Sequence, residues 1–514
     1  MRVRSLSLAS AFVLSAAVLV GPAAAKKPPK PPPPPPPPAP STSSTYVKNY
    51  ANILDGVKCS SLTPEVVQTT SDGGAVALAH SDCRSVSWVV KLDAFGNPQW
   101  QKDVGCFGLP PGGYALGLAL QQTADGGHVI GGGTRDCEFD PVCPYLSSKG
   151  CGHVAKLDAA GNVVWSRVYS ASRSMTVIED VKQTSDGGYV VVGTFLDDNS
   201  DIGGFILKVD GGGNVQWQRL LGPLGRTHVL LSEVLQTTDG GYVASGRFYT
   251  ASATLGGDSV LVVRLDTSGN VTWQRGFNSL DSGGAPTATE FVNSIIQTSD
   301  RGYLVAGVWN NTTGPGTCCQ GPLLLKLDAQ GQSQWQKAYS AGVQCSGGHP
   351  NVCSAIGGLA YSVRQTSDGG YAVAGAGHLK SGGYGAQMVP WLARTDAVGN
   401  LVWQHFYYQS YPSTGGPLSQ YFASSALTRD GGHLALGFTE NHVDLKGELF
   451  AVRTDSAGLV GACSQIHPAT PLNAIDPGLV GFATAFPVQA TSPAQGSLPA
   501  KMQPTSIAST SGAC

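Results

Sequence analysis

The sequence predicts an all-β fold, a seven-bladed β-propeller of four-stranded antiparallel blades, because one unit is repeated seven times. The first half of the unit ends in an Asp-Gly-Gly step, with Arg301 replacing the first glycine in the fifth copy. The aspartates of this step are Asp72, Asp125, Asp186, Asp239, Asp300, Asp368 and Asp430. The second half contains a turn of the Gly-Asn type, preceded by Asp93, Asp158, Asp210, Asp266, Asp328, Asp396 and Asp455. A period of about 60 residues indicates a repeat architecture.

Each unit predicts four strands, which in the third copy are residues 181–184, 189–194, 205–210 and 215–220. Tight turns join the first strand to the second and the third to the fourth, because glycine adopts positive φ and aspartate bonds its own backbone. The second strand is almost entirely apolar, as expected of a strand that is covered on both faces. No segment has a helical hydrophobic period. Seven antiparallel meanders of this kind predict a propeller.

The two ends of the chain predict how the ring closes. Six units have a tryptophan in the fourth strand, namely Trp100, Trp165, Trp217, Trp273, Trp335 and Trp403. The seventh unit has Ala462 at this position, whereas Tyr46-Val-Lys-Asn-Tyr50 near the N-terminus matches the spacing of Trp165 to Tyr169. We therefore expect the N-terminal segment to supply the missing outer strand of the last blade, which also removes a free sheet edge.

Four regions follow from composition. Residues 1–25 have a basic start, an apolar core and a small-residue cleavage site, as in a signal peptide. Residues 26–45 form a proline-rich linker with eight consecutive prolines, 46–463 form the propeller, and 464–514 form a low-complexity C-terminal tail. We expect an exported monomer, secreted, periplasmic or on the cell surface, with no stable membrane span after signal cleavage. Only 13% of residues are charged and the net charge is −2, which argues against a nucleic-acid partner.

Twelve cysteines in an exported chain predict disulfides. In a meander the two tight turns of each blade lie on one face of the ring, which we call the turn face. The long connections lie on the opposite face, the loop face, and the ring cysteines fall in these connections. The expected local groups are Cys59 with Cys83; Cys106, Cys137, Cys143 and Cys151; Cys318, Cys319, Cys345 and Cys353; and Cys463 with Cys514, which would hold the tail.

The repeat resembles the Gln-Thr-x-Asp-Gly-Gly-Tyr-x-x-x-Gly repeat of secreted bacterial and archaeal propeller proteins over nearly the whole ring. Its second half is similar to the tryptophan-docking motif of pyrroloquinoline-quinone propellers, as in Val154-Ala-Lys-Leu-Asp158 to Trp165. The second resemblance implies shared blade packing, with each tryptophan between neighbouring blades, and no activity. Adjacent Cys318 and Cys319 are similar to the vicinal disulfide of quinoprotein dehydrogenases. Loop disulfides are the better interpretation, because those enzymes resemble eight-bladed rings and this chain has seven repeats, and because Cys345 and Cys353 lie close by as ordinary partners.

Two sets of loop residues are candidates for binding. Aromatic residues with Ser, Asn and Gly form adaptable binding surfaces, and here Trp309, Trp391, Tyr407, Tyr408 and Tyr411 could form one. The alternative is that they fill gaps between blades. Asp197, Asn199 and Asp201 resemble the start of a calcium loop, although the glycine is displaced and the closing glutamate is missing. The sequence predicts no cofactor and no catalytic residue, and Ca²⁺ at this loop is a weak candidate.

The sequence favours a binding or scaffold module that presents its disulfide-braced loop face to a protein or glycan at the cell envelope. The alternative is a secreted enzyme, either a quinoprotein-like oxidoreductase or a carbohydrate-active hydrolase or lyase. A purely structural envelope scaffold is a third class. An enzyme should place ionisable groups with shifted pKa values in the central channel, where residues from seven blades converge.

Overall fold

Seven four-stranded antiparallel sheets follow one another along the chain, which confirms the predicted fold class. The computed structural model describes residues 45–54, 57–58, 62–81, 86–105, 114–135, 150–170, 175–196, 201–222, 227–250, 258–279, 288–311, 319–340, 343–345, 353–355, 358–380, 386–407, 420–441, 446–461, 466–468, 473–475, 479–483, 488–490, 494–497, 501–503 and 506–511. These ranges contain strands and turns, and no helix.

The strands are given blade by blade, from the innermost to the outermost. Blade 1 has Leu62–Thr69, Ala75–Ser81, Val86–Leu92 and Pro98–Gly105; blade 2 has Tyr114–Gln122, His128–Arg135, Gly150–Leu157 and Val163–Ser170; blade 3 has Met175–Gln183, Tyr189–Leu196, Ile202–Val209 and Val215–Leu221; blade 4 has Thr227–Gln236, Tyr242–Thr250, Ser259–Leu265 and Val271–Ser279. Blade 5 has Ala288–Gln297, Tyr303–Asn311, Cys319–Leu327 and Ser333–Ser340; blade 6 has Gly358–Gln365, Tyr371–Lys380, Ala386–Thr395 and Leu401–Tyr407; blade 7 has Gln420–Leu427, His433–Asn441, Lys446–Thr454 and Tyr46–Leu54.

The N-terminal strand closes the ring as predicted. Tyr46–Leu54 pairs antiparallel with the third strand of blade 7, with Tyr46 opposite Arg453 and Tyr50 opposite Leu449. Val57–Lys58 adds a short strand to its edge. The first described strand therefore completes the blade that the last repeat leaves one strand short.

The Asp-Gly-Gly turns are stabilised by the aspartate side chain. In blade 3, Asp186 accepts hydrogen bonds from the Thr184 hydroxyl at 2.5 Å and the Gly188 amide at 3.0 Å, and pairs with Lys208 at 2.9 Å. Desolvation raises the pKa of Asp186, but the hydrogen bonds from Thr184, Lys208 and Gly188 outweigh it and bring this pKa to about 2. A lysine or arginine of the third strand pairs with the turn aspartate in all seven blades. The recurrent aspartates thus serve the turns.

Arg301 has a strained backbone at the fifth turn. Its φ is +65°, and among the described residues it is the one non-glycine with positive φ. The equivalent residues of the other six turns are glycines with φ between 81° and 87°. We predict that Arg301→Gly stabilises the protein by about 0.5 kcal/mol. Glycine relieves the left-handed backbone strain of the folded state, and this gain exceeds the loss that comes from the greater conformational entropy of glycine in the unfolded chain.

Gly187→Ala is the matched control for this prediction. A Cβ at Gly187 would meet nothing within 4 Å, so alanine there tests the backbone conformation alone. We expect it to destabilise the protein by about 1 kcal/mol in denaturant unfolding. If Arg301→Gly lowered the unfolding midpoint, the strain at this turn would be refuted.

Neighbouring blades dock through the predicted tryptophans. The Trp165 indole donates a hydrogen bond to the Gly211 carbonyl at 2.9 Å, and a Cβ at Gly213 would lie 3.1 Å from its ring. Four residues later, the Tyr169 hydroxyl donates to the Gly213 carbonyl at 2.7 Å. The six tryptophans make the same approach to the next blade's turn glycine, and at the closure Tyr46 and Tyr50 take these two positions on blade 1.

The repeated glutamine before each turn also joins blades. Its side-chain carbonyl accepts a hydrogen bond from a turn amide of the preceding blade, for example from Ala124 to Gln183 at 2.7 Å. Five blade junctions have this bond, made by Gln122, Gln183, Gln236, Gln297 and Gln365. Blade 7 has Leu427 at this position and blade 1 has Thr69. At the junction of blades 7 and 1, Arg429 donates a hydrogen bond to the Ser71 carbonyl and the Thr69 hydroxyl donates to the Leu427 carbonyl.

The C-terminal tail adds a fifth strand to each blade, although its sequence has no clear period. Its strands are Ile466–Pro468, Asn473–Ile475, Leu479–Ala483, Val488–Ala490, Ala494–Ser497, Lys501–Gln503 and Ser506–Ser511. They pair antiparallel with the outermost strands of blades 6, 5, 4, 3, 2, 1 and 7, in that order. We call this segment the tail belt, because it follows the rim of the ring backwards through all seven blades.

Candidate active site in the central channel

Every innermost strand contains one β-bulge at the same place in the repeat. The register with the second strand shifts there, and one residue is left without a partner in each blade, namely Glu65, Leu118, Glu179, Ser232, Asn293, Tyr361 and Ala423. Each lies seven residues before the turn aspartate of its blade, as Glu179 does before Asp186. We call these seven residues the bulge ring. A bulge re-aims a side chain relative to a regular strand.

In six blades the residue opposite the position just before the bulge is the last glycine of the repeat motif, whereas blade 1 has Ala79 there. In blade 3, Gly193 lies opposite Ile178, immediately before the bulge, and a Cβ at Gly193 would lie 1.9 Å from the Val177 carbonyl oxygen. Gly246, Gly307, Gly375 and Gly437 approach the innermost strands of their blades equally closely. In these five blades the motif glycine therefore accommodates the backbone of the bulge, and the bulge residue itself is free to vary.

The bulge ring lies where two cavities meet. A cavity of about 510 Å³ is lined by the innermost strands of all seven blades and includes residues near the turn face, such as Gln68 and Gln365. A second cavity of about 430 Å³ lies towards the loop face and is lined by blades 3 to 6, including Leu230 and Phe291. Glu179, Ser232, Asn293 and Tyr361 line both. The ring thus joins two chambers of one channel.

Glu65 and Glu179 are two channel carboxyls with raised pKa values. Burial, and secondly the charge of Glu179, raise the pKa of Glu65 to about 8. Burial raises the pKa of Glu179 to about 7, against a hydrogen bond from Thr194 that lowers it. Both side chains are half-buried, so solvent from the channel still reaches them. Two interacting carboxyls that titrate near neutral pH can exchange protons with a bound molecule.

A pair of tyrosines lies beside Glu65. The ring centroids of Tyr361 and Tyr421 are 5.9 Å apart. Burial, then the charges of Tyr361 and Glu65, raise the pKa of Tyr421 to about 12. Both phenols therefore stay protonated at neutral pH and can donate hydrogen bonds near the Glu65 carboxyl.

The other acidic residues of the channel are held by the fold. Asp180 accepts hydrogen bonds from Lys182 at 2.5 Å and from the Val234 amide of the next blade at 3.0 Å. Glu233 accepts a hydrogen bond from the Ile295 amide, again from the next blade. Burial raises the pKa of Glu233, while the charges of Lys182 and Arg364 oppose this. Asp180 and Glu233 therefore each bond the backbone of the next blade.

Three of the aromatic residues that were expected on the loop surface are buried in the structure. Trp309, Trp391 and Tyr407 are 6%, 1% and 1% exposed and belong to the hydrophobic core between blades. Tyr407 donates its hydroxyl to the Gly458 carbonyl at 2.7 Å, the bond that Tyr169 makes in blade 2. An exposed binding surface built on these three is therefore wrong, because blade packing covers them. Tyr408 and Tyr411 lie outside the described residues.

The predicted calcium loop is described only at its end. Asp201 is half-buried at the start of a strand of blade 3, whereas Asp197 and Asn199 lie outside the described residues. Within the described ranges no cluster of three or more His, Cys, Asp or Glu side chains could hold a metal ion. Calcium binding at this loop stays a prediction.

The cysteine groups are described in part. Cys151 is buried in the third strand of blade 2 and is disulfide-bonded. A short hairpin places Cys345 opposite Cys353, and opposed residues of an antiparallel pair have Cα atoms about 4.5–5.5 Å apart, a distance that a disulfide spans. Cys319 is described as backbone at the start of a strand. The remaining predicted disulfide cysteines lie outside the described residues, and their pairing stays a prediction.

Sequence reasoning missed Glu65 and Glu179, although a signal for them exists. Each is the residue seven places before a turn aspartate, in an otherwise regular repeat. In blade 3 the bulge that turns this position towards the channel is visible in the sequence only through the distant Gly193, and blade 1 has Ala79 at that place. The position is Glu in two blades and Leu, Ser, Asn, Tyr or Ala in the others, so averaging over the repeats hides it.

Comparisons with known proteins add similarity in fold only. The sequence matches no protein-family model and no curated protein sequence. Among solved structures, polysaccharide lyase Uly1 is 9% identical with a TM-score of 0.47, covering 81% of this chain and 98% of that one. A protein of unknown function from Dyadobacter fermentans is 13% identical with a TM-score of 0.39, covering 68% and 99%. A xylan β-1,4-xylosidase from Bacillus halodurans is 8% identical with a TM-score of 0.27, covering 79% and 98%. At these scores the likenesses carry no argument about activity.

The described part of the chain contains no helix long and apolar enough to cross a membrane.

Proposed function

We propose that this protein is a carbohydrate-active enzyme that hydrolyses glycosidic bonds in its central channel, with Glu65 and Glu179 as the acid and base. The observation that carries the proposal is the pair of half-buried carboxyls with pKa values of about 8 and about 7 on the bulge ring. Hydrolysis of a glycosidic bond needs one carboxyl that is protonated and another that is ionised at the same pH. Environments that separate two carboxyl pKa values identify such roles.

The order of the two pKa values assigns the roles. Glu65 has the higher pKa, so it holds a proton at pH 7.5 and donates it to the leaving glycosidic oxygen. Glu179 has the lower pKa and is the carboxylate that removes a proton from the attacking water. The water oxygen bonds to the anomeric carbon as the glycosidic bond breaks, so protons and charge balance. Tyr361, which lines both cavities, can donate a hydrogen bond to a sugar oxygen.

The channel walls suit a carbohydrate. The cavity of about 510 Å³ is lined by Gln, Ser, Asn, Thr and charged side chains, with Tyr361 as an aromatic surface. The loop-side cavity of about 430 Å³ adds Phe291 and Leu230 as apolar surface. Sites that bind small ligands combine apolar walls with a few placed polar groups, and chambers of several hundred Å³ have the size of one or two sugar rings.

The binding-module reading is supported less well. Its exposed loop aromatics depended on five residues, of which three are buried in blade packing. Asp180 and Glu233 accept hydrogen bonds from the next blade, whereas no such bond of Glu65 or Glu179 is seen among the described residues. Export to the cell surface or medium remains part of the proposal, because the N-terminal signal and the cysteines suggest it. A glycan of the cell envelope or surroundings would be the corresponding substrate.

A panel of neutral and acidic polysaccharides tests the proposal. The full chain is incubated with each polymer at pH 7.5 and new reducing ends are counted, while ultraviolet absorbance detects the unsaturated sugars that a lyase would release. Hydrolysis predicts new reducing ends without this absorbance, and their loss in Glu65→Gln and Glu179→Gln. An activity that both variants retain would overturn the assignment.

A further inference from the structure

A second ring of positions lies between the bulge ring and the turn face. Its members are four residues before each turn aspartate and three residues after each bulge residue. In blades 3 and 6 the preceding residues, Val181 and Val363, are buried inside the blade, so strand alternation turns this position towards the channel. We call these residues the turn-side ring, and they are Gln68, Gln121, Lys182, Leu235, Ile296, Arg364 and Ala426.

The turn-side ring contains two cations and no acidic residue. Lys182 of blade 3 and Arg364 of blade 6 line the cavity of about 510 Å³, and both are half-buried. The side-chain carbonyls of Gln68 and Gln121 each accept a hydrogen bond from a backbone amide of the next blade at 2.5 Å. The other three members are apolar. The charge that this ring presents to the channel is therefore positive.

Arg364 is the less engaged of the two cations. Lys182 donates a hydrogen bond to Asp180 of its own strand at 2.5 Å. Within the described ranges Arg364 has no ion-pair partner, and its guanidinium donates to the Val363 carbonyl at 2.7 Å. Its two neighbours in the turn-side ring are apolar. A guanidinium has five N–H donors in a planar fork that fits a carboxylate or a tetrahedral oxyanion, so Arg364 has donors left for a ligand.

Glu233 lies within electrostatic range of both cations. Burial raises the pKa of this carboxyl, and the charges of Lys182 and Arg364 oppose the increase. One of its oxygens accepts a hydrogen bond from the Ile295 amide. Burial favours the uncharged form of a carboxyl, and in that form Glu233 leaves the positive charge of Arg364 available to a ligand.

The loop-side cavity has a cation that is already paired. Arg247 lines this cavity and forms an ion pair with Asp258 at 3.1 Å. Its guanidinium also lies 4.6 Å from the ring centroid of Phe291. The same wall has apolar side chains such as Leu230 and Leu359. The two chambers therefore differ, with an open cation on the turn side and an apolar surface on the loop side.

We propose that the channel takes an acidic glycan, with a sugar carboxylate or sulfate bound by Lys182 and Arg364 on the turn side of the carboxyl pair. This substrate class rests on the proposed hydrolytic function. Three residues of a strand, the separation of the two rings, span about 10 Å. The anionic group therefore belongs to a sugar at or beside the bond to be cleaved, and the sugar on the loop side meets the apolar wall.

Binding to matched charged and uncharged polymers tests the substrate class. The probes are polygalacturonate and alginate against their methyl esters, and κ-carrageenan against its desulfated form. The full chain with both Glu65→Gln and Glu179→Gln binds without turnover, and affinity electrophoresis gives the Kd. We expect at least one charged polymer to bind about tenfold or more tightly than its uncharged form, and added NaCl to weaken this binding. The pair that shows the preference distinguishes carboxylate from sulfate. No preference in any pair would overturn the proposal.

Variants of Arg364 separate contact with the anion from support of the fold. Arg364→Gln should weaken binding of the charged polymer about tenfold and leave its uncharged form unchanged, whereas Arg364→Lys should keep most of the preference. Arg219→Gln is the matched control, because Arg219 lies in the outermost strand of blade 3, outside both cavities. If Arg364 only balanced Glu233, Arg364→Gln would lower the Tm without changing the preference, and the proposal would be refuted.

The outcome is separable from the test of hydrolysis. If no polymer released new reducing ends, the hydrolytic role would be refuted, while a preference for charged polymers would still establish the anion site. If the wild type hydrolysed neutral polymers alone, the proposed function would stand and the acidic substrate would be refuted.

Discussion

Replacing Glu65 or Glu179 by glutamine should lower hydrolysis by about 10²–10⁴-fold, because each change removes one member of the acid and base pair. Glutamine keeps the size of the side chain, so the cavities and the bulge backbone are retained. The wild-type pH profile should be bell-shaped with its maximum between the two pKa values, about 7 and about 8. Since the carboxyls interact, the two limbs report the pair. Carboxyls with ordinary pKa values would place the maximum near pH 4.

The same variants should be more stable than the wild type at alkaline pH. Both carboxyls have folded-state pKa values above the ordinary glutamate value of 4.5. Between pH 4.5 and 8 the folded state therefore binds more protons than the unfolded state, and its stability falls as pH rises. Glutamine removes this loss, so Glu65→Gln should raise the Tm at pH 8.5 and change it little at pH 4.

Glu448→Gln is the control for the loss of activity. Glu448 is buried in the third strand of blade 7, outside the residues that line the channel cavities. We expect it to keep wild-type hydrolysis. If all three variants lost activity equally, the loss would reflect general damage to the ring. If Glu65→Gln showed no gain in Tm at pH 8.5, the raised pKa of the Glu65 carboxyl would be contradicted.

Deleting residues 46–53 should cost more than about 5 kcal/mol of stability and prevent cooperative unfolding of a closed ring. The deletion removes the outer strand of blade 7 together with the buried side chains of Val47 and Tyr50. It also removes the hydrogen bond from Tyr50 to the Gly96 carbonyl, 2.7 Å long, which joins blade 7 to blade 1. Thermal unfolding of purified protein and its oligomeric state in solution measure the effect.

Tyr50→Phe and Tyr169→Phe calibrate the deletion. Tyr169 makes the same bond to Gly213 within the ring that Tyr50 makes at the closure. Each substitution should cost about 1–2 kcal/mol and leave the ring folded. A deletion variant that unfolded at the wild-type temperature would show that the ring closes without the N-terminal strand.

Features that recur in every blade could be predicted from the sequence. The strands, both turns, the docking tryptophans and the N-terminal closure each follow from a residue type repeated at fixed spacing. Tyr407 could also have been placed between blades, because it follows Trp403 by four residues as Tyr169 follows Trp165. The tail belt could not, since its strands are short and are held by pairing with the blades.

The channel pair could not be predicted because its members come from different blades. Glu65 belongs to blade 1 and Glu179 to blade 3, 114 residues apart. Only closure of the ring and the bulge in each innermost strand place both in one cavity. Their raised pKa values depend on this convergence, since burial in the channel is the largest cause for each.

The most direct test of the account is the titration of these two carboxyls, measured by infrared difference spectra of the wild type against Glu65→Gln and Glu179→Gln. The account predicts carboxyl C=O bands that disappear with midpoints near pH 8 for Glu65 and near pH 7 for Glu179. Bands that disappear near pH 4.5 for both residues would contradict it. The channel would then hold two ordinary carboxylates at neutral pH, and neither could donate a proton to the glycosidic oxygen.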